Sequence, residues 1–161
     1  MKIPIVDEND NLIEYMERKE ADKNPKLIYR VSFLWITDTE GKILLAQRAF
    51  SKKHNPGKWG PAVAGTVEEG ETYESNIIKE IEEEIGLKNV KLKIGKKEIR
   101  EKDGYKHFTQ EFLLVLPAGF SDFLVQKSEV ARVKWFSREE LKKELKEHSD
   151  NFLSLIHEKM K

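Results

Sequence analysis

Apolar residues recur every four positions from residue 73 to residue 85: Tyr73, Ile77, Ile81 and Ile85, with Ile78 widening the stripe. That spacing predicts an amphipathic helix over 72–85, closed by Gly86 as its C-terminal cap. Most of the rest of the chain carries the patterns of strands. Ile3-Pro4-Ile5-Val6 ahead of the polar run Asp7-Glu8-Asn9-Asp10-Asn11 predicts a short strand and a turn. Residues 27–37 are rich in β-branched and aromatic side chains, and Asp38-Thr39-Glu40-Gly41 supplies a turn before 42–49. Both runs are apolar at most positions, which predicts a hairpin lying centrally in its sheet. Pro56, Gly57 and Gly60 make 50–60 a loop, after which Val63 and Ala64 lead into Gly65. Strands over 90–100 and 106–116 flank Asp103-Gly104, 117–127 is irregular, and 130–136 is a final strand. Ser137 with Glu140 three residues later has the spacing of a capping box and opens a helix to about Lys146. A second, short amphipathic helix follows over 151–160. There is no repeat, low-complexity segment or Pro/Gly/Ser linker. The elements amount to one mixed α/β (α+β) domain over 1–161, with an N-terminal strand and turn segment (1–26) and C-terminal helices across about 137–160.

Composition removes several classes of function. Of 161 residues, 36% are charged, against the ~25% usual for soluble domains, yet 29 Lys and Arg balance 29 Asp and Glu. A zero net charge argues against binding a nucleic-acid polymer or an anionic membrane by bulk electrostatics. No apolar run approaches the ~20 residues of a membrane span, and the start MKIPIVDEND does not have the form of a signal peptide. The absence of cysteine excludes disulfides, thiolate catalysis and Cys-ligated metal. A cytoplasmic globular protein is the expectation.

The opposing charges are segregated, and this changes the picture. Arg48, Lys52, Lys53 and Lys58 lie in a stretch without acids, whereas 68–84 holds eight glutamates and one base, Lys79. From Lys88 to Lys106 basic residues lead again, eight to three. A charge run is ordinarily a solvated face, but the spacing inside the acidic run points elsewhere. Glu80, Glu83 and Glu84 stand at i, i+3 and i+4, which places them within an arc of about 100° on the helix, while Glu82 points away. Like charges so placed cost helix stability unless something cationic binds, and a hard divalent ion with oxygen ligands, Mg²⁺ or Mn²⁺, is the natural partner.

Gly65-Thr66-Val67-Glu68-Glu69-Gly70-Glu71, followed by 72–78 and then Lys79-Glu80-Ile81-Glu82-Glu83-Glu84-Ile85-Gly86-Leu87, resembles the Nudix box, G-x5-E-x7-R-E-u-x-E-E-x-G-u, in which u is a bulky aliphatic residue. Every fixed position matches except one: Lys79 stands where the family has Arg. Six Gly and Glu matches at ~7% usage each make a chance hit about one in ten million per start position, which sets aside an accidental glutamate-rich surface helix.

The resemblance over 65–87 implies a Nudix fold, a mixed β-sheet sandwiched between helices. It also implies metal-dependent hydrolysis of a diphosphate linked to another moiety, with Glu80, Glu83 and Glu84 as metal ligands. Gly65, Glu71, Lys79 and Gly86 would then be the structural positions of the motif. Glu71 at the start of the helix suits the positive dipole end. Lys79 cannot reproduce the paired hydrogen bonds of an Arg, so the site should be looser or differently braced.

The likeness extends to 44–53 and to Pro56-Gly57-Lys58-Trp59, which look like the corresponding stretch of isopentenyl-diphosphate isomerases and their hydrolase relatives. It runs from the N-terminus to about Leu87 and returns weakly at 129–141. It implies that Arg48 and Lys52 grip the substrate diphosphate, with Lys58 a further candidate and Lys53 an ordinary surface lysine. The isomerases carry a catalytic Cys and a metal-binding His where this chain has Ala64 and Thr66, which disfavours isomerase chemistry. Glu129, ahead of the last strand, lies where many family members bring a further acid to the site, as a base or an extra ligand. Trp59, Phe50, Tyr105 and Phe108 are candidates to stack on a base or cover a prenyl group, with a place in the core as the alternative for each. His54 could touch phosphate; His107, His148 and His157 show no metal-ligand spacing. The expectation is therefore a Mg²⁺- or Mn²⁺-dependent diphosphatase acting on a small molecule. A non-catalytic diphosphate sensor is the alternative that Lys79 raises. A homodimer is possible, since family members are often dimers.

Overall fold

The computed structural model describes residues 1–102 and 104–161, and its organising element is the long strand that carries Phe33 to Ile36. In chain order the elements are β1 (Lys2–Val6), β2 (Leu12–Glu17), α1 (Arg18–Ala21), β3 (Ile28–Asp38), β4 (Ile43–Arg48), β5 (Trp59–Pro61) and β6 (Val63–Thr66). There follow α2 (Tyr73–Ile85), β7 (Lys93–Lys102), β8 (Tyr105–Leu116), β9 (Val130–Phe136), α3 (Arg138–Glu147) and α4 (Ser154–Lys159). The strands form one branched, mixed sheet.

Along β3 the side chains alternate between two cores, as period-two geometry requires. Leu34 and Ile36, with Leu44, Phe112 and Leu114, pack against Ile77, Ile81 and Ile85 of α2. Phe33 and Trp35, with Ile43 and Leu45, pack on the opposite face against Leu141, Phe152 and Ile156 from the C-terminal helices. The sheet is thus sandwiched between helices, as expected. Ile78 does not widen the buried stripe: it is 47% exposed, because one residue beyond Ile77 the helix has already turned the side chain away from the sheet.

The β3–β4 hairpin is central but opens almost at once. Only Ile36↔Leu44 and Thr37↔Ile43 pair directly. Beyond them the strands part, and the segment 59–66 enters the fork, with β5 pairing β4 and β6 pairing β3. The other edge of β3 pairs in parallel with β8 along its whole length, from Ile28↔Lys106 to Asp38↔Leu116. β9 completes the far edge of β4.

Two further elements differ from the sequence pattern. Leu12–Glu17 is a strand on the sheet's outer edge, paired only with β1 and exposed on both faces, so it lacks a hydrophobic alternation. The helix expected over 151–160 is shorter: a 3-10 turn at Ser149–Asn151 precedes α4. Ser137 Oγ accepts from the Glu140 amide, but Glu140 Oε1 pairs with Lys134 at 3.0 Å, and among the described residues the return bond of a capping box is not made. In the turn expected at Asp103-Gly104, Asp103 lies outside the described residues. Among those described, no helix is long and apolar enough to cross a membrane.

Candidate active site

The fork between β3 and β4 delivers the segment that precedes α2, and two glycines let the pieces close up. A Cβ on Gly65 would lie 2.7 Å from Glu80 Cγ and 3.0 Å from Asn76 Oδ1, so β6 and α2 approach at a distance only glycine allows. Gly86 caps α2 in the left-handed region, with φ 73°, and its amide bonds to the Glu82 carbonyl. A Cβ there would come within 2.7 Å of Leu124 Cβ. That contact seats the 117–129 segment on the end of the helix, where the Leu124 amide donates to the Ile85 carbonyl and the Gln126 amide to that of Glu84. The helix itself opens on Thr72, whose hydroxyl accepts from the Ser75 amide while Ser75 Oγ accepts in return from the Thr72 amide.

At the N-terminal half of α2 the charges are paired. Lys79 Nζ lies 2.7 Å from Glu68 Oε2, 2.7 Å from Glu71 Oε2 and 3.6 Å from Glu80 Oε1. Glu71 Oε1 accepts from the Glu68 amide (2.8 Å) and from Asn76 Nδ2 (3.1 Å). Asn76, fully buried, also donates to the Thr66 carbonyl, and its Oδ1 accepts from Ser32 Oγ. Burial pushes the Glu71 carboxyl up, but the Lys79 ammonium and the other donors outweigh it and hold the group below the usual carboxylate range. The Lys79 ammonium is correspondingly held well above its ordinary value, its two carboxylates outweighing its partial burial. One ammonium thus serves three carboxylates.

Toward the C-terminal half the balance reverses. Glu84 is only 9% exposed, and burial, then the charges of Glu80 and Glu129, push its carboxyl up to about 8 against the partial opposition of Lys52 and Arg48. Glu80 is raised too, by burial first, with Lys79 working against it and the charge of Glu83 adding to it. Glu83 is exposed beside them, and Glu82 points outward to Lys88 at 3.5 Å. Among the described residues the side chains do not close into a group of three positioned to hold an ion: Glu80 turns toward Lys79, and Glu83 toward solvent. The donors are nonetheless all carboxylate oxygens, the hard ligands that Mg²⁺ and Mn²⁺ take, and Glu84 is a buried acid to which no described side chain gives a hydrogen bond.

The basic loop meets this cluster. Lys52 Nζ sits 2.5 Å from Glu129 Oε2, and the Ala49 amide donates to the Glu129 carbonyl, so the acid ahead of β9 is anchored to the loop by side chain and backbone. Arg48 Nε donates to the His54 carbonyl, which folds the loop back on itself. Arg48, Lys52, Glu80, Glu84 and Glu129 therefore share one neighbourhood. Lys58 is less engaged: its carbonyl accepts from the Arg48 amide, but its side chain makes no described bond to the cluster. Lys53 is exposed.

Of the aromatic candidates, Trp59 and Phe108 are core residues. Tyr105 packs at the edge of the core formed by Ile3, Ile5, Ala21 and Tyr29 and against His54. Phe50 is 71% exposed and lies over Gly57. His107 is half-buried, with burial and then the charges of Arg100 and Arg18 lowering it to about 4. His148 pairs with Glu144, and His157 bonds to the Ser149 carbonyl. Sequence patterns did not reveal Asn76, Ser32 or Glu68. Asn76 sits beside the apolar stripe as an isolated polar residue, and only its burial shows that it links the sheet to Glu71.

Comparison with known proteins agrees with this architecture. The NUDIX domain model matches residues 26–156. An uncharacterized Nudix hydrolase of Yersinia pestis is 31% identical over 86% of this chain and 74% of its own length. An isopentenyl-diphosphate Delta-isomerase of Aliivibrio fischeri is 28% identical over 93% of this chain and 87% of its own length. Among solved structures, the Deinococcus radiodurans protein DR0079 superposes with a TM-score of 0.76 at 19% identity, covering 91% of this chain and 89% of that one. An Ap4A hydrolase from C. elegans gives 0.56 at 23% identity, over 80% of this chain and 93% of that one. At these identities the superpositions speak for the fold.

Proposed function

Because the chain belongs to the NUDIX domain family, we propose that it is a pyrophosphohydrolase that cleaves a phosphoanhydride bond in a small organic diphosphate. The observation that carries this reading is the neighbourhood that the buried Glu84 shares with Glu80 and Glu129 and with the basic pair Arg48 and Lys52, which faces Glu129 at 2.5 Å. Glu80, Glu83 and Glu84 would hold Mg²⁺ or Mn²⁺, which when bound would neutralise the phosphate oxygens and acidify a water. Arg48 and Lys52 hold the phosphates by charge-assisted hydrogen bonds. To do so Lys52 exchanges its Glu129 partner for a phosphate oxygen, and this frees the Glu129 carboxylate to accept the proton of the attacking water. The water oxygen bonds to phosphorus as the bridging P–O bond breaks, and the leaving phosphate departs as an anion on the basic loop.

The isomerase activity in the name of the Aliivibrio relative is not part of this reading. The chain has no cysteine, Ala64 stands exposed on β6, and the Thr66 hydroxyl accepts from Arg18 Nη1 at 2.8 Å. Hydrolysis is tested by phosphate release with Mg²⁺ over nucleoside di- and triphosphates, nucleotide sugars, dinucleotides, coenzyme A and prenyl diphosphates. We expect turnover of at least one class and its loss in Glu83→Gln. Equal turnover in that variant across the panel would falsify the metal assignment. Ligand binding without turnover in saturating Mn²⁺ would instead identify a diphosphate sensor.

A further inference from the structure

Glu68 lies outside the fixed positions of the box, yet it makes one of the two shortest contacts to Lys79, with Nζ to Oε2 at 2.7 Å. The segment that carries it is held at several points. The Val67 amide donates to the Arg30 carbonyl, that of Glu69 to the Lys2 carbonyl and that of Glu71 to the Glu68 carbonyl. The backbone that carries Glu68 is thus fixed on both sides of it. An Arg at position 79 could satisfy Glu71 with two parallel N–H bonds from one planar fork. An ammonium instead radiates three donors from a single atom, and here three carboxylates surround it, Glu68 and Glu71 at 2.7 Å and Glu80 at 3.6 Å.

We propose that Glu68 is a positioning residue: by drawing the Lys79 ammonium to its own side, it keeps Lys79 from closing a full ion pair on Glu80, and so leaves the Glu80 carboxylate available to a divalent cation. This rests on the metal reading proposed above. Without the Glu68 charge, the ammonium shifts toward the next carboxylate within reach, Glu80, and competes there with the cation. An Arg held by its fork on Glu71 has no such need of Glu68. Lys79 and Glu68 therefore act as one unit in place of the family Arg.

The test is Mn²⁺ affinity, measured by calorimetric titration of the full chain without substrate, for the parent protein, Glu68→Gln, Lys79→Arg, the double variant and Glu83→Gln, alongside Mg²⁺-dependent turnover. Glu68→Gln is expected to weaken Mn²⁺ binding about two- to five-fold, the upper part of the range for one partly exposed charge interaction. The half-saturating Mg²⁺ concentration should rise by the same factor, with little change in kcat at saturating metal. In the Lys79→Arg background the Glu68→Gln change should shift Mn²⁺ affinity less than about two-fold. Unchanged affinity in Glu68→Gln, or an equal loss in both backgrounds, overturns the proposal. If Glu83→Gln weakens Mn²⁺ binding and Glu68→Gln does not, only the role of Glu68 fails. If neither variant weakens it, the metal reading falls as well. A lower thermal midpoint in Glu68→Gln with unaltered Mn²⁺ affinity also counts against the proposal, since it marks a merely structural pair.

Discussion

The two ends of α2 are built from the same residue type and treat it in opposite ways. Around its start, Glu68 and Glu71 surround Lys79, and Glu71 is held ionised below the usual range. Toward its end, Glu84 is buried among like charges, with Lys52 and Arg48 too weakly placed to compensate, and its carboxyl is pushed up to about 8. The first arrangement is satisfied within the chain and holds the helix against β6. The second leaves acids facing one another with little compensation from the chain's own bases, the arrangement on which the proposed cation site rests. An acidic run is therefore no guide to function until each acid's partners are known.

The sharpest way to break this contrast is Glu84→Gln against Glu71→Gln. Glu84→Gln should cut Mg²⁺-dependent turnover by a factor on the order of 100 or more, the scale on which a metal ligand or transition-state contact counts. It should leave the metal-free fold as stable or more so, because it removes a charge that burial disfavours. Glu71→Gln should do the converse to stability, costing about 1–3 kcal/mol in urea denaturation, because Lys79 loses its half-buried partner and the Glu68 amide and Asn76 lose a charged acceptor. Equal destabilisation by the two changes would erase the distinction.

A smaller effect is pH-dependent. Glu84 has a folded pKa above its unfolded value, so its contribution to stability is complete below about 4.5 and is lost as pH rises to about 8. Glu71 has a folded pKa below its unfolded value, so its contribution is present above about 4.5 and is lost on acidification. In EDTA the thermal midpoint of Glu84→Gln should gain on that of the parent between pH 5 and 8, and added Mn²⁺ should return the parent's advantage. The half-buried His107, lowered to about 4, titrates equally in both proteins and cancels from the difference. The smallest effect is the control: Glu82→Gln, exposed on the outer side of the helix and paired only with Lys88 at 3.5 Å, should shift stability by less than about 0.5 kcal/mol.

Much of this was legible in the order of residues, for identifiable reasons. The stripe of Tyr73, Ile77, Ile81 and Ile85 and the spacing of the box are local patterns, and α2, Gly65 and Gly86 stand where those patterns put them. What escaped was non-local or unpatterned. The early opening of the β3–β4 hairpin depends on a segment some fifteen residues downstream entering between the strands. The outer strand β2 reads Leu-Ile-Glu-Tyr-Met-Glu with neither face buried, so no alternation marks it. Asn76 and Ser32 are polar residues in the core whose purpose appears only when the sheet brings them together. Ile78 looked like part of the stripe because apolarity alone does not say which way a helix faces.

The pairing of Lys52 with Glu129 joins residues 77 positions apart, and β3 finds its parallel partner β8 across a comparable stretch. Closing such long loops costs chain entropy before any contact repays it, and topologies dominated by distant pairings fold slowly. A chain emerging from the ribosome can form α2 early, but it cannot bring basic loop and acid together until β9 has been made. The neighbourhood of Lys52 and Glu129 is thus among the last parts of this fold to assemble, and an incomplete chain exposes the glutamates of α2 long before the basic loop and Glu129 come together beside them.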